Sequence, residues 1–100
     1  MLDQQSEAAQ KVEVLRVGDK TNPRALAGAI ATVVREKGRV VLQTIGAGSL
    51  NQAYKAIAIA RGFMAPSGVD LIARPSFKDI PDSSKPHGVV TAIATLVEPK

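Results

Sequence analysis

Apolar residues recur with two different periods along this chain. Residues 12–17 and 39–45 are short runs rich in valine, leucine and isoleucine, and each predicts a β-strand. The second run is apolar on both faces, which is typical of a strand inside a sheet. Between them, residues 23–37 carry apolar side chains at the spacing of an amphipathic helix, namely Leu26, Ala27, Ile30, Val33 and Val34.

The second half of the chain predicts one more helix and two more strands. The helix is expected from Ser49 to Gly62, and residues 69–77 and 89–97 predict the strands. A polar loop, residues 78–88, should separate the two strands. Pro75 cannot donate to a sheet ladder, so the third strand is expected at an edge. The inward stripe of the second helix is expected to consist of Leu50, Ala53, Tyr54 and Ile57.

Residues at the helix ends support these limits. Asn22 is a suitable N-cap, and Pro23 suits the first position of a helix. Gly38 is expected to end the first helix in a left-handed conformation. Ser49 is expected to cap the second helix, with Gln52 completing a capping box.

The element order β-α-β-α-β-β predicts a two-layer α+β fold. A right-handed crossover places the first two strands parallel, with both helices on one face of a mixed four-stranded sheet. The last two strands should form a hairpin with an extended arm. We assign residues 12–100 to this single domain and residues 1–11 to a polar N-terminal tail. The second helix is apolar on its other faces too, and we expect a second subunit to cover them: Ala56, Ala58, Ile59 and Ala60.

Composition narrows the chemistry. The chain of 100 residues has a net charge of +4, a modest basic excess that favours an anionic partner. It has no cysteine and one histidine, His87, so neither a disulfide framework nor a metal site is expected. No activated nucleophile or carboxylate pair is evident, so we expect neither enzyme activity nor a cofactor. Without a signal peptide or an apolar run of roughly 20 residues, a cytoplasmic protein is expected.

The glycine-rich turn before the second helix is the strongest functional signal. Gly46 and Gly48 allow close approach to the backbone, and a helix start presents unpaired N–H groups and partial positive charge. No acidic residue occurs between Glu36 and Asp70. This combination predicts contact with a phosphate. The cations in the same interval are Lys37, Arg39, Lys55 and Arg61.

Several interpretations of this turn remain open. Its spacing is not that of a Walker loop, and it lacks the third glycine of a dinucleotide fingerprint, which disfavours a nucleotide cofactor. A small phosphate ligand is a further alternative, and a tight strand-to-helix turn needs no ligand at all. A nucleic-acid backbone fits best, because Asn51, Gln52 and Lys55 add donors near the helix start. Lys20 and Arg24 flank the other helix start at the same sheet end.

A long motif extends this interpretation. The run IGAGSLNQAYKAIAIARGFMAPSGVDLI, with NPRALAGAIA before it and LVEP near the end, strongly resembles the stage V sporulation protein S family of bacteria. The resemblance covers nearly the whole chain from Val12. That family is similar to the Alba superfamily of chromatin and RNA-binding proteins. The resemblance implies a β-α-β-α-β-β fold, a homodimer and nucleic-acid binding. We expect the chain to contact DNA or RNA phosphates with little sequence specificity, in the cytoplasm or at the nucleoid.

The resemblance also implies a binding surface made of three segments. They are the first strand-to-helix loop, the start of the second helix and the hairpin arm. The alternative is a protein–protein scaffold or regulator without physiological nucleic-acid binding, in which the apolar faces mediate assembly. The residues at the matching positions are Lys20, Thr21, Asn22 and Arg24; Gly46, Gly48, Asn51, Gln52 and Lys55; and, in the arm, Lys78 and Lys85.

Overall fold

The fold contains four strands and two long helices in the predicted order. The computed structural model describes residues 12–100, so the predicted tail at residues 1–11 lies outside the described part of the chain. No helix in the described part is long and apolar enough to cross a bilayer. The elements are β1 (Glu13–Val17), α1 (Pro23–Lys37), β2 (Val40–Thr44), α2 (Ala47–Met64), a short 3₁₀ turn (Ala65–Ser67), β3 (Leu71–Pro81) and β4 (Val89–Pro99).

The strands form one mixed sheet in the order β1-β2-β4-β3. β1 is parallel to β2, whereas β4 is antiparallel to both of its neighbours. The two strands that are apolar on both faces, β2 and β4, are the inner ones. Pro75 lies in β3, an edge strand that pairs with β4 on one side and has no neighbouring strand on the other, which is where proline is tolerated in a sheet. The predicted parallel pair, edge strand and hairpin are confirmed.

Both helices lie on one face of the sheet, as predicted. On β2, Val40, Leu42 and Thr44 are buried, whereas the alternate residues Val41 and Gln43 are only partly buried. A hydrophobic cluster joins Val40 and Leu42 to the apolar stripes of α1 and α2. Because side chains alternate along a strand, Val41 and Gln43 face the side of the sheet that carries no helix.

The hairpin is more regular than the sequence suggested. Residues 78–81, predicted as loop, are part of β3, which pairs with β4 from Leu71 to Pro81. Cross-strand pairs such as Ile80 with Val90, and a 3.0 Å hydrogen bond from the Thr91 hydroxyl to Asp79, extend the ladder. Only residues 82–88 form the turn. The prediction was wrong because it weighed polarity and prolines above pairing of β-branched residues.

The ends of α1 are as predicted. The side-chain oxygen of Asn22 accepts hydrogen bonds from the backbone N–H groups of Arg24 and Ala25, at 2.9 and 3.1 Å. Pro23 is the first helical residue. Gly38 has φ of 91°, which is the left-handed conformation that ends a helix.

Both ends of α2 differ from the prediction. The helix begins at Ala47, and Ser49 is inside it, where its hydroxyl donates back to the carbonyl of Ile45 at 2.9 Å instead of capping. The helix also continues past Gly62 to Met64, which is buried in the core. Burial of that last turn outweighs the low helix propensity of one glycine.

The faces of α2 are also distributed differently from the prediction. Tyr54, predicted to point inward, is 76% exposed, and Leu50 is exposed as well. Ala56 and Ala60 are fully buried within the chain, in the cluster shared with α1. Their small side chains let the two helices approach closely, so these two alanines need no second subunit to cover them. Ala58 is exposed and Ile59 is partly buried.

Candidate nucleic-acid interface

The three segments of the expected surface lie at one end of the sheet. β1 and β2 are parallel and in register, with Val17 beside Thr44, so both strand-to-helix turns leave at the same end. Thr44 also lies beside Ile93 on β4. The preceding residues of β4, back to Val89, therefore extend about 13 Å past β2. We call this end, where β1 and β2 finish, the carboxyl end, and the opposite one the amino end.

The two turns at the carboxyl end are in direct contact. A Cβ placed on Gly48 would lie 2.7 Å from the Cβ of Asp19, so only glycine permits this approach. The side-chain amide of Gln52 donates to the backbone carbonyl of Asp19 at 3.2 Å. Gly46 has φ of 91°, a conformation that other residues rarely adopt. These contacts fix the first turn against the start of α2.

Inside the first turn, two of the predicted binding residues have structural tasks. The hydroxyl of Thr21 accepts from the backbone N–H of Gly18 at 2.8 Å. Asn22 caps α1 with its side-chain oxygen, which accepts from the backbone N–H groups of Arg24 and Ala25. Lys20 stands between Asp19 and Thr21 in the sequence, and it is exposed. The turn is therefore a rigid support that presents Lys20.

The start of α2 presents one continuous polar face. Gly48, Asn51, Gln52 and Lys55 are three or four residues apart, which places them on one side of a helix. Gly48 and Gln52 contact Asp19, so Lys55 lies on the same side of α2 as the first turn. Asn51 and Lys55 are exposed, whereas one amide hydrogen of Gln52 is already used within the chain.

Arg24 is the one predicted residue of the first loop that is directed elsewhere. Its guanidinium lies over the ring of Phe63, 5.8 Å from the centroid. Phe63 is about 22 Å further along the axis of α2 than Gly48, at 1.5 Å per residue. The structure therefore does not bring Arg24 to the start of α2.

The arm carries the last two predicted residues. Lys78 lies in β3 opposite Ala92, and Lys85 lies in the turn. The nearby carboxylates are engaged by hydroxyl groups: Asp79 accepts from Thr91, and Asp82 accepts from the backbone and hydroxyl of Ser84. The hydrogen bonds from Ser84, with a smaller contribution from the Lys85 charge, lower the pKa of Asp82.

The cations at the two ends differ in their partners. Within residues 12–100, no ion pair or side-chain hydrogen bond involves Lys20, Lys55, Lys78 or Lys85. At the amino end, ion pairs join Lys37 to Glu13 at 2.8 Å, Arg61 to Asp70 at 2.8 Å, and Arg74 to Glu98 at 3.3 Å.

Two of the ion pairs at the amino end also shift the pKa of one of their members. The hydrogen bond with Glu13 and the charge of Glu13 raise the pKa of Lys37. In the same way, the hydrogen bond from Arg61 and the charge of Arg61 lower the pKa of Asp70. Each shift favours the charged form of the pair.

Sequence reasoning missed two side chains at the carboxyl end. Arg16 and Gln43 are register neighbours on the helix-free face of the sheet. Both line a cleft of about 510 Å³ between the two turns, together with Asp19, Gly46 and Gly48. The strand period could have revealed them, because Arg16 alternates with the inward residues Leu15 and Val17.

One comparison with known proteins bears on these segments. The family described as Stage V sporulation protein S (SpoVS) matches residues 13–100. The match includes both crossover turns, α2 and the whole arm. It also covers all four strands of the sheet. The chain therefore belongs to the stage V sporulation protein S family.

Proposed function

We propose that this protein binds DNA or RNA through the phosphates, with little sequence specificity, and acts as a homodimer in a regulatory or chromatin-like role. The cytoplasm, including the nucleoid, is the compartment that such a role requires. The observation that carries this proposal is a set of cations at the carboxyl end of the sheet that form no ion pair with any residue between 12 and 100: Lys20, Lys55, Lys78 and Lys85.

Unpaired cations suit a phosphate backbone for a physical reason. An ammonium group held by a carboxylate must give up that partner before it can bind a phosphate. Lys20 and Lys55 have no such partner within the described residues, and their backbone supports are fixed by the contacts of Asp19 with Gly48 and Gln52. Binding then releases counterions from the nucleic acid without breaking bonds in the protein.

The arm supplies a second contact region. It extends past the end of β2, and its own carboxylates are occupied by Thr91 and Ser84. Lys78 is exposed on the paired strands of the arm, and Lys85 is exposed in the turn at its tip. A two-stranded ribbon of this kind fits a nucleic-acid groove.

The test is a mobility-shift titration of the full chain with duplex DNA, single-stranded DNA and structured RNA at two salt concentrations. We expect affinity to fall by about 0.9 log units per tenfold salt for every phosphate neutralised on duplex DNA. Scrambled duplex sequences should bind alike. An affinity that does not change with salt would contradict the proposal.

The homodimer has a candidate surface in the apolar groove between α2 and the β3–β4 half of the sheet. The groove has a volume of about 690 Å³, and none of its lining residues is charged. Tyr54, exposed by 76%, lines it, and Phe77, exposed by 81%, lies on the adjoining part of β3. Two positively charged copies repel each other least where neither carries charge, and these aromatic side chains have apolar area to bury there.

Sedimentation of the full chain tests the dimer. The Tyr54→Ser variant should dissociate at a higher concentration than the parent chain. Val14→Ser is the matched control, because Val14 is an exposed apolar residue on the helix-free face. A monomeric parent chain, or equal effects of the two variants, would refute this groove as the dimer surface.

The same groove supports the alternative, a protein–protein scaffold without physiological nucleic-acid binding. Light scattering with and without nucleic acid separates the two functions. Large assemblies that leave the mobility of nucleic acid unchanged would favour the scaffold. A small, uniform particle that shifts nucleic acid would favour binding.

A further inference from the structure

The cleft between the two crossover turns carries opposite charges that do not neutralise each other. Arg16 and Asp19 both line it. Within the described residues, neither side chain forms an ion pair or a side-chain hydrogen bond. A guanidinium and a carboxylate therefore face one space of about 510 Å³, which lies within the range of small-molecule sites.

The position of Asp19 is fixed by its neighbours. Its Cβ packs against Gly48, and its carbonyl accepts from Gln52. Gln43, the register neighbour of Arg16, adds an amide that can both donate and accept. The cleft thus offers donors and acceptors beside a turn whose backbone is held in place, with no net charge from its side chains.

This composition argues against a phosphate inside the cleft. A phosphate attracted to Arg16 would meet the carboxylate of Asp19, and the repulsion would offset the attraction. A nucleobase meets no such conflict, because its edges combine hydrogen-bond donors with acceptors. Unpaired bases are commonly recognised in this way on their polar edges.

Among the bases, guanine matches this pair of side chains best. Its O6 and N7 atoms accept from arginine in the commonest specific base contact. Its N2 amino group and N1–H donate, and a carboxylate accepts from both. We propose that the cleft lined by Arg16, Asp19 and Gln43 holds an unpaired guanine of the bound strand, while Lys20 and Lys55 contact the flanking phosphates.

The proposal rests on nucleic-acid binding and adds a single-base preference to it. The test uses fluorescence anisotropy of the full chain with a short oligothymidine that carries one central guanine. Matched strands carry hypoxanthine, which lacks the N2 amino group, 7-deazaguanine, which lacks N7, or adenine. We expect the guanine strand to bind about 5- to 150-fold more tightly than the adenine strand.

Two protein variants identify the groups. Asp19→Asn should bind the guanine and hypoxanthine strands equally, whereas Arg16→Gln should bind the guanine and 7-deazaguanine strands equally. These ratios are taken within one protein, so a change in stability does not affect them. Arg35→Gln is the control: it removes an exposed cation from the amino end, and it should keep both preferences.

The remaining outcomes separate the two proposals. If the parent chain binds all strands equally, the guanine site is refuted and phosphate binding stands. If Asp19→Asn binds every strand more tightly by the same factor, the cleft holds phosphate instead. If free guanosine 5′-monophosphate binds as tightly as the strand, the ligand is a free nucleotide. If no strand binds, both proposals fall.

Discussion

The two ends of the sheet use their cations differently. At the amino end, Lys37, Arg61 and Arg74 are each held by a carboxylate, and their charge contributes to the fold. At the carboxyl end, Lys20 and Lys55 stand beside a glycine-dependent contact between two turns and have no acidic partner within the described residues. The same residue types therefore stabilise the fold at one end and remain available to a partner at the other.

The largest expected effect on nucleic-acid affinity comes from removing positive charge at the carboxyl end. Lys20→Gln with Lys55→Gln should reduce the slope of log affinity against log salt by about one unit per residue. At 0.1 M salt the affinity of this double variant for duplex DNA should be up to about sixtyfold lower than that of the parent chain. All sequences should weaken alike, and a filter-binding titration over a salt series measures both quantities.

The matched control removes the same charge at the amino end. Arg35→Gln with Lys37→Gln should leave the salt slope unchanged, although loss of the Lys37 ion pair lowers the thermal midpoint slightly. Equal slopes for the two double variants would erase the proposed difference between the ends.

The next effect compares two glycines of α2. Gly48→Ala should destabilise the fold by about 1–3 kcal/mol, because the new Cβ would lie 2.7 Å from the Cβ of Asp19 and force the turns apart. Gly62→Ala should instead stabilise it by roughly 0.5–1 kcal/mol, since nothing lies within 4 Å and alanine favours a helix. Chemical denaturation of both variants checks the opposite signs.

These glycines also show what the sequence could not reveal. The pattern predicted every helix and strand, the parallel pair and the edge strand, because periodicity and Pro75 report local structure directly. It assigned Gly62 as a helix end, because the burial of Met64 that extends the helix is a tertiary effect. The need for glycine at position 48 depends on Asp19, which is distant in sequence.

The candidate site shows the same limit. Basic residues in loops were found from the sequence, because charge and turn signals are local. The sequence also predicts Asn22 as a helix cap, and in the structure the cap occupies its side-chain oxygen. The sequence assigns Arg24 to the binding surface because it follows the first strand-to-helix loop, and only the structure locates its guanidinium over Phe63. Arg16 was overlooked because a strand residue was assigned no role beyond the sheet.

A smaller effect separates the two ends of α1. Asn22→Ala at the carboxyl end should cost about 0.5–2 kcal/mol of stability through loss of the cap. Asn22→Asp should keep the cap and the stability, yet weaken nucleic-acid binding by adding negative charge beside Lys20. Thermal unfolding and the salt titration together distinguish the two consequences.

Gly38, at the amino end of the same helix, provides the comparison. Its φ of 91° means that Gly38→Ala should cost roughly 1–2 kcal/mol. Under conditions where the variant is folded, its affinity for nucleic acid should equal that of the parent chain. If Gly38→Ala weakened binding as much as Asn22→Asp, the amino end would belong to the interface.

The smallest effect is the acid sensitivity of exposed carboxylates at the two ends. The hydrogen bond and charge of Arg61 lower the folded-state pKa of Asp70, so the native chain binds fewer protons there than the unfolded chain. The stability from this pair is therefore present above about pH 4 and is lost as pH falls through the lowered pKa. The thermal midpoint of Asp70→Asn should lie slightly below that of the parent chain at pH 7 and converge with it near pH 2.

The pKa of Asp82, at the carboxyl end, is also lowered, but the donor of its hydrogen bonds, Ser84, is uncharged, whereas the donor to Asp70 is the guanidinium of Arg61. The pKa of Asp82 is lowered first by hydrogen bonds from Ser84, whereas the charge of Lys85 is the smaller cause. Added salt at pH 7 should therefore shrink the small stability difference caused by Asp70→Asn, because ions screen the charge of Arg61. The difference caused by Asp82→Ala, which removes the oxygen that accepts from Ser84, should persist in salt, since a hydrogen bond from an uncharged group is not screened. If both differences shrank alike, Asp82 would be held mainly by the charge of Lys85, and Lys85 would not be available to a partner.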